Sequence, residues 1–234
     1  MNDESPISFR ILGFPIGMGF SFLFFMAFLG WVSRFDGSEI LIWVALGTVA
    51  ILLHELGHAL VMRRFGLEST IRFWMLGGLA IPNDQEAAGK LSNGRWILVG
   101  LAGPGVGLVL GAIGLLVLVL LEPQGALRFT LVIWIFVNLG WGLFNLLPIA
   151  ALDGGQILQH VTLGLFGNKA RTLAALVGIA GSVAVALAAW VAGFGYVALI
   201  ALIFGVANPD QYQALREALS PSRKLGSQEE CAGC

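Results

Sequence analysis

Four stretches of this chain, near residues 14–33, 40–62, 96–121 and 129–150, are apolar over the length of a bilayer crossing. A hydrocarbon core about 30 Å thick takes about 20 helical residues to cross, so each stretch is read as a membrane helix. A fifth run, 171–207, is too long for one crossing. At its middle, Trp190-Val191-Ala192-Gly193-Phe194-Gly195-Tyr196 supplies interfacial aromatics and two glycines, which suit a tight turn. Divided there into 171–190 and 192–207, the chain is expected to be an all-α polytopic membrane protein of about six transmembrane helices. Composition agrees: with 57% hydrophobic and 12% charged residues there is too little polar surface to coat a water-soluble globule. The lipid bilayer is the partner this composition demands. A net charge of −1 leaves no electrostatic footprint for nucleic acid.

Charge placement gives an orientation. Arg10, Arg63, Arg64, Arg72, Lys90, Arg95, Lys169, Arg171, Arg216, Arg223 and Lys224 fall on the side of the two termini, whereas Arg34 and Arg128 fall opposite. By the positive-inside rule both termini face the cytoplasm of a multi-pass cell-membrane protein. No small-residue cleavage site follows the first apolar run, which is therefore expected to stay as a helix. Cys231 and Cys234, the two cysteines, lie at the very end, so no disulfide framework is expected. Their C-x-x-C spacing alone is a weak sign of metal or redox chemistry. Residues 1–207 are read as the membrane core and 208–234 as a polar cytoplasmic tail.

Ionisable groups inside the predicted helices are few: His54, Glu55 and His58 in the second, and Asp153 just beyond the fourth. Such groups cost a few kcal/mol each at membrane depth and are by default paired and functional. His54-Glu55-Leu56-Gly57-His58 is an H-E-x-x-H motif, whose i,i+4 spacing stacks two imidazoles on one helix face where they can bind one zinc ion. Glu55 sits one residue round, placed to take a proton from a water that the metal activates. Counting about 1.5 Å per residue from Arg63, the histidines lie roughly 8–14 Å below the cytoplasmic edge. A hydrolytic zinc site wants a third protein ligand. Two residues could supply it, Asp153 and His160. Asp153 follows Pro148 and precedes Gly154 and Gly155, so it reads as a ligand delivered from a broken helix end, and its charge offsets part of the zinc's. His160 fits the polar face of an amphipathic cytoplasmic helix.

These two segments together resemble the site-2 protease family of intramembrane zinc metalloproteases, in its compact form without PDZ or CBS domains. The resemblance rests on His54-Glu55-Leu56-Gly57-His58 followed by Asn145…Pro148…Leu152-Asp153-Gly154, with support from Phe9-Arg10-Ile11-Leu12-Gly13 and Leu101-Ala102-Gly103-Pro104-Gly105. Members often carry a second proline where this chain has Ala150. The resemblance implies a zinc endopeptidase that cleaves single-span membrane protein substrates in or near their membrane segment. It implies one Zn²⁺ per chain on His54, His58 and Asp153, Glu55 as the catalytic acid–base, and Asn145 in substrate handling.

Two apolar runs flank Gly77-Gly78 in the segment 67–82, which suggests a short β-hairpin between the second and third helices. In the resembling family this region is membrane-associated and beside the active site. A free strand edge there, at Gly77 and Gly78, could hold an unwound substrate by strand addition. Gly103, Gly107 and Gly111 make a smooth face on the third helix, read as scaffolding for close packing. Substrate choice is left to the membrane core, the 83–95 loop or a regulatory membrane partner. The competing readings are an ion-binding transporter, against which the lack of an obvious internal repeat counts, and a non-catalytic relative, against which the retained Glu55 counts. A zinc protease trimming lipidated C-termini would also carry H-E-x-x-H; the Asn-Pro-Leu-Asp-Gly pattern favours the site-2 type.

Overall fold

A computed structural model describes residues 6–166, 170–193 and 195–206. The chain divides into two compact units, Met1–Leu146 and Leu147–Cys234.

The first unit opens with two strands, β1 (Ile7–Ile11) and β2 (Phe14–Met18), rather than with a helix starting near residue 14. Hydropathy alone could not separate the two. The side chains of Phe14, Ile16 and Met18 alternate as a strand requires and are buried, while Gly13, Pro15, Gly17 and Gly19 discourage a helix. Leu12 (φ +50°) and Gly13 (φ +88°) form the tight turn between the strands, both in the left-handed region that the right-handed twist of a hairpin favours. Helix α1 (Phe20–Val32) follows, with 13 residues.

Helix α2 (Gly37–Arg64) starts at a capping box: the Asp36 carboxylate accepts from the Glu39 backbone N–H, and the Glu39 carboxylate accepts from the Asp36 N–H, each at 2.9 Å. It ends with Arg63 and Arg64, whose charges suit the negative end of the helix. Arg63 also donates to the Leu12 carbonyl at 2.7 Å and lies 4.4 Å from the centre of the Phe14 ring, fastening the β1–β2 turn to the end of α2. Next come β3 (Ser69–Trp74) and β4 (Gly77–Pro82), paired antiparallel. They complete one sheet of order β1-β2-β3-β4, in which β2 and β3 run parallel with Ile16 opposite Ile71. The fold is therefore mostly helical with a small four-stranded sheet, where the sequence suggested an all-α chain with a lone hairpin.

A short helix α3 (Gln85–Gly89) leads into α4 (Asn93–Leu121). The last span of this unit is composite: α5 (Gly125–Ile135), a π-helical turn at Phe136–Gly140, and α6 (Trp141–Asn145). It stops at Asn145, short of the expected residue 150, because the chain turns towards Pro148. Gly103, Gly107 and Gly111 do lie in close contacts, with α2 at the first position and the composite span at the other two.

In the second unit, α7 (Asp153–Phe166), α8 (Ala170–Val191) and α9 (Gly195–Val206) pack in sequence. The α8–α9 turn carries Gly193 at φ +83°. Close approach of α8 and α9 comes from Ala186, Ala198 and Ala201, all buried, and from Gly205 seated on Ser182.

Among the described residues, four helices are long and apolar enough to cross a membrane: Gly37–Arg64, Asn93–Leu121, Gly125–Asn145 and Thr172–Val191. The expected six included α1 and α9, which are apolar but have 13 and 12 residues. Phe24, Leu41, Leu120 and Leu187 are among many large apolar side chains left exposed on these helices, as lipid contact requires. The tail 208–234, with Cys231 and Cys234, lies outside the described residues.

Candidate metal centre

The H-E-x-x-H segment occupies the last third of α2, where the helix is buried most completely; His54, Glu55 and His58 are 3%, 6% and 6% exposed. One helical turn separates the two imidazoles, and their Nε2 atoms stand 3.1 Å apart. His58 donates through Nδ1 to the carbonyl oxygen of Val99 on α4, at 2.6 Å. A carbonyl can only accept, so the proton of the neutral ring is on Nδ1 and Nε2 keeps its lone pair for a metal. Two nitrogen ligands of a tetrahedral zinc at about 2.0–2.1 Å lie about 3.3 Å apart. The observed pair fits that donor geometry.

Glu55 is held from the sheet side. A methyl group built on Gly78 of β4 would stand 2.7 Å from Glu55 Cγ and 3.1 Å from its Oε1, so the bare glycine backbone is what lets the strand lie against the carboxylate. Gly77 precedes it at φ +153°, a conformation favouring glycine, and faces the Trp141 ring of α6. The structure thus brings the predicted Glu55 and Gly78 together. Asn145 ends α6, 7% exposed, with its amide Nδ2 donating to the Trp141 carbonyl at 3.0 Å.

In the second unit Asp153 is the first residue of α7, half-buried, where the positive end of the helix dipole favours a carboxylate. The approach to it is tightly built. Ile149 and Leu152 are buried, Pro148 packs against Gly181 of α8, and Gly155 backs onto the Ile149 carbonyl with no room for a side chain. His160 lies further along α7, and burial lowers its imidazole pKa.

Two neighbours of the centre, Val99 and Gly103, were not read from the sequence as part of it. Val99 acts through its backbone. Gly103 lies directly against both imidazoles, although its spacing with Gly107 and Gly111 suggested packing alone. Asn138, 2% exposed in the π-helical turn, donates Nδ2 to the Trp134 carbonyl at 2.9 Å, and its Oδ1 is buried without a hydrogen bond.

The family model for peptidase family M50 matches residues 42–130 and 121–188, taking in the H-E-x-x-H helix and the Asn145–Asp153 segment. The chain belongs to peptidase family M50. This is the site-2 protease family. Among the chains similar to this M50 member, a zinc metalloprotease of Methanocaldococcus jannaschii is 30% identical over 178 residues, covering 73% of this chain and 49% of its own. Rip3 of Mycobacterium tuberculosis is 29% identical over 238 residues, covering 90% of this chain and 59% of its own. The chain thus spans between 49% and 59% of the length of these two relatives. A solved structure, the site-2 protease from Methanocaldococcus jannaschii, superposes with a TM-score of 0.58 at 25% identity, covering 91% of this chain and 94% of that one.

Proposed function

We propose that this M50 chain is an intramembrane zinc endopeptidase, cleaving single-span membrane proteins near the cytoplasmic face of the cell membrane. The observation that carries the reading is the H-E-x-x-H face itself: two imidazoles with adjacent Nε2 atoms and a carboxylate, all buried in a helix of bilayer length. A packing role would not need three costly groups at one depth.

His54, His58 and Asp153 are the proposed ligands of one zinc per chain, two neutral imidazoles and a carboxylate being a donor set that could hold a metal ion. Bound there, zinc would supply Lewis acidity and make water nucleophilic at neutral pH. The remaining steps belong to the chain. Val99 holds the His58 ring in the ligating tautomer. Glu55 accepts the proton of the attacking water and hands it to the leaving amine. β4 ends the sheet, so an unwound substrate segment can pair along it and pass close to Glu55 at Gly78. This answers the problem that a helical peptide bond hides its carbonyl. Asn145, at the end of the composite span, donates to the substrate backbone or the developing oxyanion once its bond to Trp141 is exchanged. Selection among substrates falls to the sheet edge, the 83–95 loop or a regulatory membrane partner.

Co-expression with candidate single-span membrane proteins tests the reading. Cleavage by the wild type is expected to fall by at least about 10²-fold in Glu55→Gln, the usual scale for loss of a general base, while bound zinc is retained. Persistent cleavage in that variant, or a wild type purified without chelators that carries no zinc, would overturn it.

A further inference from the structure

The glycines of α4 were read from the sequence as one packing stripe, but they meet different partners. A methyl group built on Gly107 would meet the Asn138 carbonyl at 2.9 Å, and one on Gly111 would meet Leu139. At Gly103 it would run into the His58 ring, on both Nε2 and Cε1, and would stand 2.7 Å from His54 Nε2. Only the first of these three glycines touches the imidazoles, and it touches them at the two ligating nitrogens. One turn earlier on the same helix, Val99 accepts the His58 Nδ1 proton at 2.6 Å. Val99 and Gly103 therefore constrain one ring at its two nitrogens: a carbonyl fixes its rotation and tautomer, and a bare backbone leaves room for its other nitrogen. Gly57, one residue before His58, adds to this closeness, because a methyl group there would stand 2.8 Å from the Ala102 carbonyl.

We propose that Gly103 is a positioning residue for the metal centre, whose missing side chain sets where His54 and His58 Nε2 can stand and so how tightly zinc is held. The inference rests on the zinc reading given above. The mechanism is steric. A Cβ at 103 must either push the imidazoles away from their common ligating position or drive α4 away from α2, and the second route also breaks the Val99 bond to His58. Both lower metal affinity. Loss of groups that orient metal ligands typically costs about 10–100-fold in affinity, and the same range is expected for Gly103→Ala.

The experiment compares zinc affinity, by chelator competition, and the Co²⁺ absorption spectrum in the full-length wild type, Gly103→Ala and Gly107→Ala, all purified in detergent. Gly103→Ala should bind zinc about 10–100-fold more weakly and give an altered cobalt spectrum. Gly107→Ala should lower the melting temperature while leaving both metal readouts unchanged. Wild-type affinity in Gly103→Ala, or an equal loss in Gly107→Ala, overturns the proposal, the latter by showing that the general packing of α4 sets the affinity. A wild type that binds no zinc sinks the metal reading instead. Should Gly103→Ala not fold, the double variant Gly103→Ala/His58→Ala decides. Recovery of folded protein locates the clash on the imidazole and supports the proposal, and no recovery overturns it.

Discussion

At the scale of single residues, the centre is built from contacts too close for any side chain but hydrogen. Gly78→Ala places a methyl group against Glu55 Cγ and Ile51. The expected cost is about 1–3 kcal/mol of overpacking, taken up by moving either the carboxylate or β4. Protease activity should therefore drop while zinc content stays at the wild-type level; equal loss of both would place the effect on the metal ligands. The proposed third ligand has its own comparison. Asp153→Asn should strip zinc from the purified protein, and His160→Ala should not, as read by metal analysis of both variants. His54, Glu55, His58 and Asp153 could be proposed from the sequence because ionisable groups in an apolar context announce themselves by cost. Gly103 and Val99 could not: a glycine's role depends on what stands opposite it, and a backbone carbonyl is the same at every position.

Among the elements, legibility followed length. α2 and α4 could be read from hydropathy because a helix of 28 or 29 residues leaves no competing assignment. β2 could not, since five apolar residues next to an apolar helix look like its first turn, and its parallel partner β3 lies beyond α1 and α2 in the chain. The π-helical turn was equally invisible, being a matter of one residue's extra length in the hydrogen-bond ladder. The capping box at the start of α2 makes a pH-dependent prediction. Hydrogen bonds from the Glu39 backbone and the Ser38 side chain hold the exposed Asp36 carboxyl below its ordinary pKa. A carboxyl depressed in the folded state stabilises above its unfolded pKa, and that contribution is lost as pH falls through the folded value. Asp36→Ala should accordingly melt below the wild type at pH 7, with the gap closing as the pH drops through the acid range. A gap unchanged at low pH would show that the charge of Asp36 plays no part in the cap.

For the molecule as a whole, the orientation drawn from the basic residues can be tested directly. Arg34→Cys should react with a membrane-impermeant maleimide on intact cells, and Lys90→Cys only after lysis, each in a background where Cys231 and Cys234 are replaced by serine. The reverse pattern would put the metal centre on the outer side. The family was within reach of the sequence, through two motifs in a fixed order; the sheet that would present a substrate was only half visible, as a single hairpin. That sheet also dictates a timetable for synthesis. Because Ile16 pairs with Ile71 across α1 and α2, β2 must wait at the membrane edge until both helices have emerged and β3 has followed. Glu55 is thus delivered to the bilayer before Gly78 exists to lie beside it. A nascent chain paused between them would hold the acid and both histidines without β4 or Asp153, and so, on the proposed function, would pass through biogenesis unable to cut its neighbours.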